Sequence, residues 1–467
     1  MAGWDSLMFV NSQGLHNGGY QEGGQEAQGR TVPTTVLTTV PTTVPTTVLT
    51  TVPTTVPTTV PTTVLTTVLT TVLTTVLTTV LTKFPAFSLL LQYKCFYCPD
   101  SDMPDRVCYY CLTTIKSQFS RHLRNHHNAD LETHGLLGEF LKSADESADR
   151  SPRYPEPKLA KLVKSLIHKT GGLSPLTDDS QECYFLSANI CRVEGFTDED
   201  ILNDCLHNFD KTKSTVYSSE QPRSPQEIGN LVPVLAQLNK PNPACVKYVT
   251  NLGPGDGVRR PKILGGDPDD KEPKTYTNIT PEVTFIDVHI DQGYEGITLV
   301  GLGCVKLWMV FPLTEYNLAI WDECREYQEI LAGCWDRLEK GKVAIQTGDK
   351  AIILKPGLLH STFTLRGGLV FGITYITESC LTVTPRLLRI ENAHFKKVGD
   401  DDWSPFLESV YICMSLESGR RDEALRVLCE MLQTQAMKKN DLLDKIKKKI
   451  TSADCLRCGK RWRSHWG

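Results

Sequence analysis

His289 and Asp291, one residue apart, and His360 further along the chain are side chains of the kinds that hold a divalent metal. The segment Thr284–Val288 ahead of them is mostly apolar or β-branched and predicts a strand. Strand side chains alternate, so His289 and Asp291 project from one face and Ile290 from the other. Two imidazoles and one carboxylate leave part of a coordination sphere open, the arrangement that suits non-haem Fe(II). The same three donors also hold zinc in hydrolases, a rival chemistry for this cluster.

A second apolar run, Gly296 to Phe311, carries one cation, Lys306, before Pro312 stops it. A lysine among such neighbours is costly unless it meets an anion. Beside an Fe(II) triad the natural anion is the distal carboxylate of 2-oxoglutarate, and a charge-assisted bond to it contributes about 1.5–3 kcal/mol. The block Ile345–Gly357 reads as turn, strand, turn and delivers His360. Another apolar strand follows from Gly368 to Ile376.

A separate cysteine–histidine cluster offers a second metal. Cys108 and Cys111 form a CxxC, followed by His122 and His126 one helical turn apart, the ligand pattern of a C2H2 finger. The ten residues between Cys111 and His122 are slightly fewer than the usual spacing of about twelve. Cys95 and Cys98 make a second CxxC upstream. They either complete a four-cysteine site with Cys108 and Cys111 or join His127 in an irregular one. Zn(II) here would be structural, because so small a segment has no core of its own. Lys116, Arg121 and Arg124 give it a basic face open to nucleic acid or protein.

The motif series His289-Ile290-Asp291, Lys306-Leu307-Trp308, Phe311-Pro312, Thr347-Gly348-Asp349, Ile353–Gly357, His360 and Leu369–Gly372 resembles a JmjC domain across roughly residues 240–385. The likeness is greatest to the lysine-demethylase branch, where the lysine also falls fifteen residues after the aspartate, and Asn317–Trp321 resembles that branch too. The resemblance implies a mainly β fold, a double-stranded β-helix of the jelly-roll or cupin-like kind, with a helical cap and C-terminal helices. It implies His289, Asp291 and His360 as iron ligands and Lys306 as the 2-oxoglutarate anchor, with Thr298 a further co-substrate contact. The implied activity is oxidation of a substrate C–H bond, which demethylates an N-methyl lysine or hydroxylates a side-chain carbon. A histone tail is the implied protein substrate and the nucleus the implied location. The chain departs from the branch at two positions: Ile286 stands where a threonine holds 2-oxoglutarate, and Leu299 where a tyrosine is common. These departures keep open a non-catalytic chromatin-binding role.

Around these motifs the chain divides readily. Residues 1–86 form a disordered tract, with a TTVP/TTVL repeat from Thr31 to Thr82 that holds no charge and is broken by Pro33, Pro41, Pro45, Pro53, Pro57 and Pro61. Residues 90–130 are the finger, 131–239 a linker and cap, 240–390 the JmjC barrel, 400–453 helices, and 454–467 a basic tail with Cys455 and Cys458. No run is long enough to span a membrane. The net charge of −4 favours no partner globally, but Lys438–Gly467 hold ten Lys/Arg against three Asp, a basic end suited to phosphate backbones. Eight cysteines scattered singly along the chain, such as Cys304 and Cys413, read as reduced core residues of an intracellular protein.

Overall fold

The computed structural model describes residues 106–142, 156–177, 183–207, 215–218, 221–227, 231–238, 246–252, 257–261, 264, 274–291, 293–324, 330–394, 400–414, 416, 418–434 and 441–450. The repeat tract, Cys95, Cys98 and the tail from 454 onward lie outside them.

Two short antiparallel strands, β1 (Arg106–Val107) and β2 (Thr114–Ile115), precede helix α1 (Phe119–His127). Helices α2 (Leu131–Lys142) and α3 (Glu156–Thr170) follow. Next come β3 (Cys183–Ser187), α4 (Asp198–His207), β4 (Thr215–Ser218), β5 (Gln221–Glu227), α5 (Val232–Gln237) and β6 (Lys247–Thr250). The strands that carry the motifs are β7 (Lys274–Thr280), β8 (Phe285–His289), β9 (Glu295–Gly301) and β10 (Val305–Phe311). Helices α6 (Glu315–Cys324) and α7 (Ile330–Cys334) separate them from β11 (Lys342–Gln346), β12 (Lys350–Leu354), β13 (Leu359–Arg366) and β14 (Gly368–Tyr375). The described chain closes with α8 (Thr384–His394), α9 (Asp400–Cys413), α10 (Ser418–Thr434) and α11 (Asp441–Ile450).

One sheet has the order β11-β10-β13-β8 and a larger one the order β3-β12-β9-β14-β7-β6-β4-β5. Every named strand pair is antiparallel. From β7 to β14 each successive strand moves to the other sheet, except the step from β10 to β11. The sheets face each other: Trp308, Val310 and Ala344 of the first pack with Cys183, Ile352 and Leu354 of the second. Their outer faces are covered by helices. Val305, Leu307, Met309 and Phe311 pack under α2, α3 and α6 through Leu137, Val163 and Trp321. Ile297, Leu299, Phe371 and Ile373 pack under α4 and α5 through Ile201, Cys205 and Val234. Each such side chain, once buried, contributes about 1.5–3 kcal/mol. A layered stack of this kind answers β9, β10, β13 and β14, strands buried almost throughout, because both faces need cover.

The fold is thus mixed, antiparallel sheets flanked by helices, where the sequence reading expects a mainly β barrel; among the described residues the two sheets share no hydrogen-bonded strand that would close one. The expected boundary near residue 240 does not divide the architecture either. Strands β3, β4 and β5 from the cap region complete the larger sheet. At the C-terminal end Trp403, Phe406 and Val410 of α9, Leu425 and Leu428 of α10, and Leu443 and Ile446 of α11 form a separate helical core. No described helix is long and apolar enough to cross a membrane.

Candidate functional site

β8 and β13 bring the first cluster together. His289 lies directly opposite His360, and two steps along Ile286 lies opposite Thr362. Between these pairs Asp287 and Val288 face Ser361 alone, a β-bulge that re-aims the end of β8. The bulge is held on both sides. The Asp287 carboxylate accepts the Ile330 and Leu331 backbone N–H groups at 2.7 and 2.9 Å, capping α7, and Trp321 Nε1 donates to the Val288 carbonyl at 3.3 Å. Asp291 follows in a turn closed by Tyr294 N–H to its carbonyl at 2.8 Å.

His289, Asp291 and His360 converge as the sequence predicts. Asp291 Oδ1 lies 3.5 Å from His289 Nε2, Asp291 Oδ2 lies 3.8 Å from His360 Nε2, and the two rings are 4.2 Å apart between centroids. One ligand atom from each residue falls within 4.8 Å of the others, a spacing that a single ion can bridge. Both imidazoles are oriented from behind: His289 Nδ1 donates to the Asp287 carbonyl at 2.8 Å and His360 Nδ1 to the Leu358 carbonyl at 3.0 Å. Each ring therefore presents the lone pair of Nε2 to the shared centre. Burial, and then the neighbouring His360, push the His289 imidazole down to about 4, against a partial pull upward from Asp291. At neutral pH it is uncharged, as a ligand must be, so its contact with Asp291 is not an ion pair.

Lys306 lies on the inner face of β10 with Trp308 and Val310, only 2% exposed. Burial pushes its ammonium down to about 8, against a partial pull upward from Cys304, and no ion pair or hydrogen bond to it forms among the described residues. Trp308 stands between it and the metal cluster along the strand, its ring 5.7 Å from that of His360. Its Nε1 donates to Gln346 Oε1 at 2.9 Å, and Gln346 Nε2 donates in turn to the Thr298 carbonyl at 2.6 Å, tying the two sheets together.

Thr298 faces inward as expected, but its hydroxyl is engaged by a residue that the sequence reading does not single out, Tyr276 of β7. The phenol is half-buried; desolvation, and then Asp291, raise it far above its ordinary value. Gly372 makes room for it. A Cβ there would stand 1.8 Å from Tyr276 Cζ. A glycine inside a strand is the sequence signal of such a close approach, and Gly372 in the Leu369–Gly372 motif carried it. The two departures from the demethylase pattern separate. Leu299 points to the outer core beside Phe371 and does not reach the site, whereas Ile286 sits across from Thr362 on the strand of His360.

The second cluster gathers Cys108, Cys111, His122 and His127, with ligand atoms within 4.8 Å of one another. Cys111 Sγ lies 3.5 Å from His122 Nε2, and His127 Nε2 lies 3.2 Å from the same atom. The expected fourth ligand, His126, is exposed and outside the group. The cause is the end of α1. The N–H groups of Asn128, which is left-handed at φ 48°, and of Ala129 both bond back to the Leu123 carbonyl, and this widened last turn brings His127 round. His127 also stacks on Tyr110, ring centroids 5.2 Å apart. The knuckle is joined to the body: Leu173 N–H donates to the Tyr109 carbonyl at 2.9 Å, and Tyr109 and Tyr110 pack against the core under the smaller sheet. Lys116, Arg121 and Arg124 are exposed. The described cysteines are free thiols. No family model matches this chain, and no curated protein matches it.

Proposed function

We propose that this chain is an Fe(II)- and 2-oxoglutarate-dependent dioxygenase of the JmjC type, a nuclear lysine demethylase whose substrate class is a histone tail. Lys306 carries the reading: a buried ammonium without a hydrogen bond or ion pair among the described residues, on the inner face near two histidines and a carboxylate, calls for an anionic ligand beside a metal. Strands that alternate between two facing antiparallel sheets support a double-stranded β-helix for β7–β14. The donor set of two imidazoles and one carboxylate fits Fe(II) with positions left open. When bound, Fe(II) supplies oxidation of a substrate C–H bond by O₂, coupled to decarboxylation of 2-oxoglutarate.

The protein's own groups do the positioning. The Asp287 and Leu358 carbonyls fix the imidazoles, and Asp291 supplies the negative charge. Lys306 anchors the far carboxylate of the co-substrate, and Trp308 with Gln346 closes the wall between the sheets. Zn(II) in the finger is structural, and the exposed Lys116, Arg121 and Arg124 with the basic C-terminal segment are the surfaces for nucleic-acid contact.

Anaerobic titration of the purified chain with Fe(II) and 2-oxoglutarate tests this reading. The expected result is a visible metal-to-ligand absorption band, and its absence from the wild-type protein removes the dioxygenase. A second reading, a non-catalytic chromatin-binding module, draws on Ile286, which puts an apolar side chain where the resembled family has a hydroxyl. That reading predicts Fe(II) uptake without the band.

A further inference from the structure

The inner face near Lys306 holds more unpaired polar atoms than a metal triad requires. Thr362 Oγ1 and Thr364 Oγ1 are buried and have no hydrogen-bond partner among the described residues. Alternation along β13 puts both on the side of His360, away from Ser361, Phe363 and Leu365. The register is specific. Thr364 is the cross-strand neighbour of Lys306, and Thr362 is the neighbour of Trp308 on one side and of Ile286 on the other.

A buried hydroxyl without a partner forfeits its bonds to water, which makes such groups rare. Two on one strand face beside a buried ammonium without a hydrogen bond or ion pair among the described residues describe a cradle for a ligand that only accepts hydrogen bonds. A carboxylate is such a ligand: two oxygens with about four lone-pair sites, against one O–H from each threonine and three N–H from the lysine. Resting on the dioxygenase reading, we propose that Thr362 and Thr364 complete the subsite for the remote carboxylate of a five-carbon 2-oxo diacid. The hydroxyl donor absent at Ile286 has been moved across the strand pair to Thr362, and Ile286 serves as the apolar wall behind it.

The test is the 2-oxoglutarate dissociation constant of the anaerobic Fe(II)-loaded full chain, for wild type, Thr362→Val and Thr364→Val, beside Fe(II) affinity and the melting temperature of each. Valine keeps the shape and removes only the hydroxyl. Each substitution is expected to weaken 2-oxoglutarate about ten-fold. Fe(II) affinity stays unchanged and the melting temperature of the unliganded chain does not fall. 2-Oxopentanoate, which lacks the remote carboxylate, is indifferent to either change, and Ile286→Thr added to Thr362→Val restores much of the lost affinity. If wild type binds 2-oxoglutarate and both valine variants bind it equally well, the threonines are only packing and the dioxygenase reading stands without them. A loss that is equal for 2-oxopentanoate also overturns the subsite. If wild type takes up Fe(II) but no 2-oxoglutarate, the dioxygenase reading itself fails.

Discussion

Two imidazoles share a metal only while both are neutral, and His289 meets that condition through burial and the repulsion of His360. Its folded value, about 4, lies below the ordinary 6.5, so the unfolded chain takes up this proton first as pH falls. Stability from this group is therefore complete above about 6.5 and is lost as pH drops toward 4. His289→Ala should abolish Fe(II) binding, keep the fold, and flatten the dependence of unliganded stability on pH over that window. Retained iron affinity in this variant would dissolve the triad. Lys306 titrates in the same sense at the other end of the scale. Its folded value of about 8 lies under the ordinary 10.5, so burying the ammonium costs stability below 8, and that cost is relieved as pH rises through the interval. Lys306→Met should raise the melting temperature of the unliganded chain at pH 7. It should also weaken 2-oxoglutarate by roughly ten- to hundred-fold, the loss of about 1.5–3 kcal/mol, while sparing iron. Unchanged values for both would make Lys306 an ordinary buried lysine.

Among the elements, the bulge in β8 does most to shape the centre. Strict alternation would put Ile286 and His289 on opposite faces, three residues apart; the extra residue lets both face inward. Asp287 secures that bulge by capping α7, so Asp287→Ala leaves two helix N–H groups without their acceptor and frees the backbone that orients His289. The expected cost is about 1–2 kcal/mol in denaturant unfolding and about a ten-fold loss of metal affinity. A stable variant with unchanged affinity would show that α7 holds nothing for the site. Gly372→Ala acts through the facing strand. A methyl group there meets the Tyr276 ring, and the displaced ring leaves Thr298, so a loss of about 1–3 kcal/mol or more is expected. Wild-type stability in this variant would mean that Tyr276 does not lie over β14.

On the scale of the whole molecule the finger is part of the body. Tyr109 and Tyr110, between its two cysteines, pack on the core beneath the smaller sheet, and Gly172 passes so close to the Tyr110 carbonyl that a Cβ there would stand 2.2 Å away. Segment 171–176 continues from this contact to β11, where Ser174 N–H donates to the Val343 carbonyl at 2.7 Å. Zinc bound to the Cys108, Cys111, His122 and His127 cluster, as proposed, would supply most of the folding free energy of so small a unit, roughly 10 kcal/mol or more. Cys111→Ser should therefore melt the finger and also lower the midpoint of the main unfolding transition, because the tyrosines leave the core with it. A main transition at the wild-type midpoint would make the finger an independent module.

Part of the triad was legible in the sequence because its information is local: the two-residue spacing pairs His289 with Asp291, although β8 ends at His289 and Asp291 stands just beyond it, and Lys306 stands out as one charge in an apolar run. The strands that carry the first cluster, and three of the four side chains gathered in the second, could be read the same way. Other features were decided only by contacts between segments distant in the chain. Which of Ile286 and Leu299 reaches the site depends on a bulge set by pairing with β13, which no period reveals. The choice of His127 over His126 depends on how the last turn of α1 opens, a matter of backbone bonds to Leu123. Tyr276 enters the centre from β7 because β14 offers Gly372 beside it, and Thr362 and Thr364 meet Lys306 because β13 pairs with β10. Side-chain periodicity is a property of the local backbone and survives in any fold that keeps the strand. Register, bulges and the partner across the sheet are properties of the closed structure, and they decide which of the outlined residues touch.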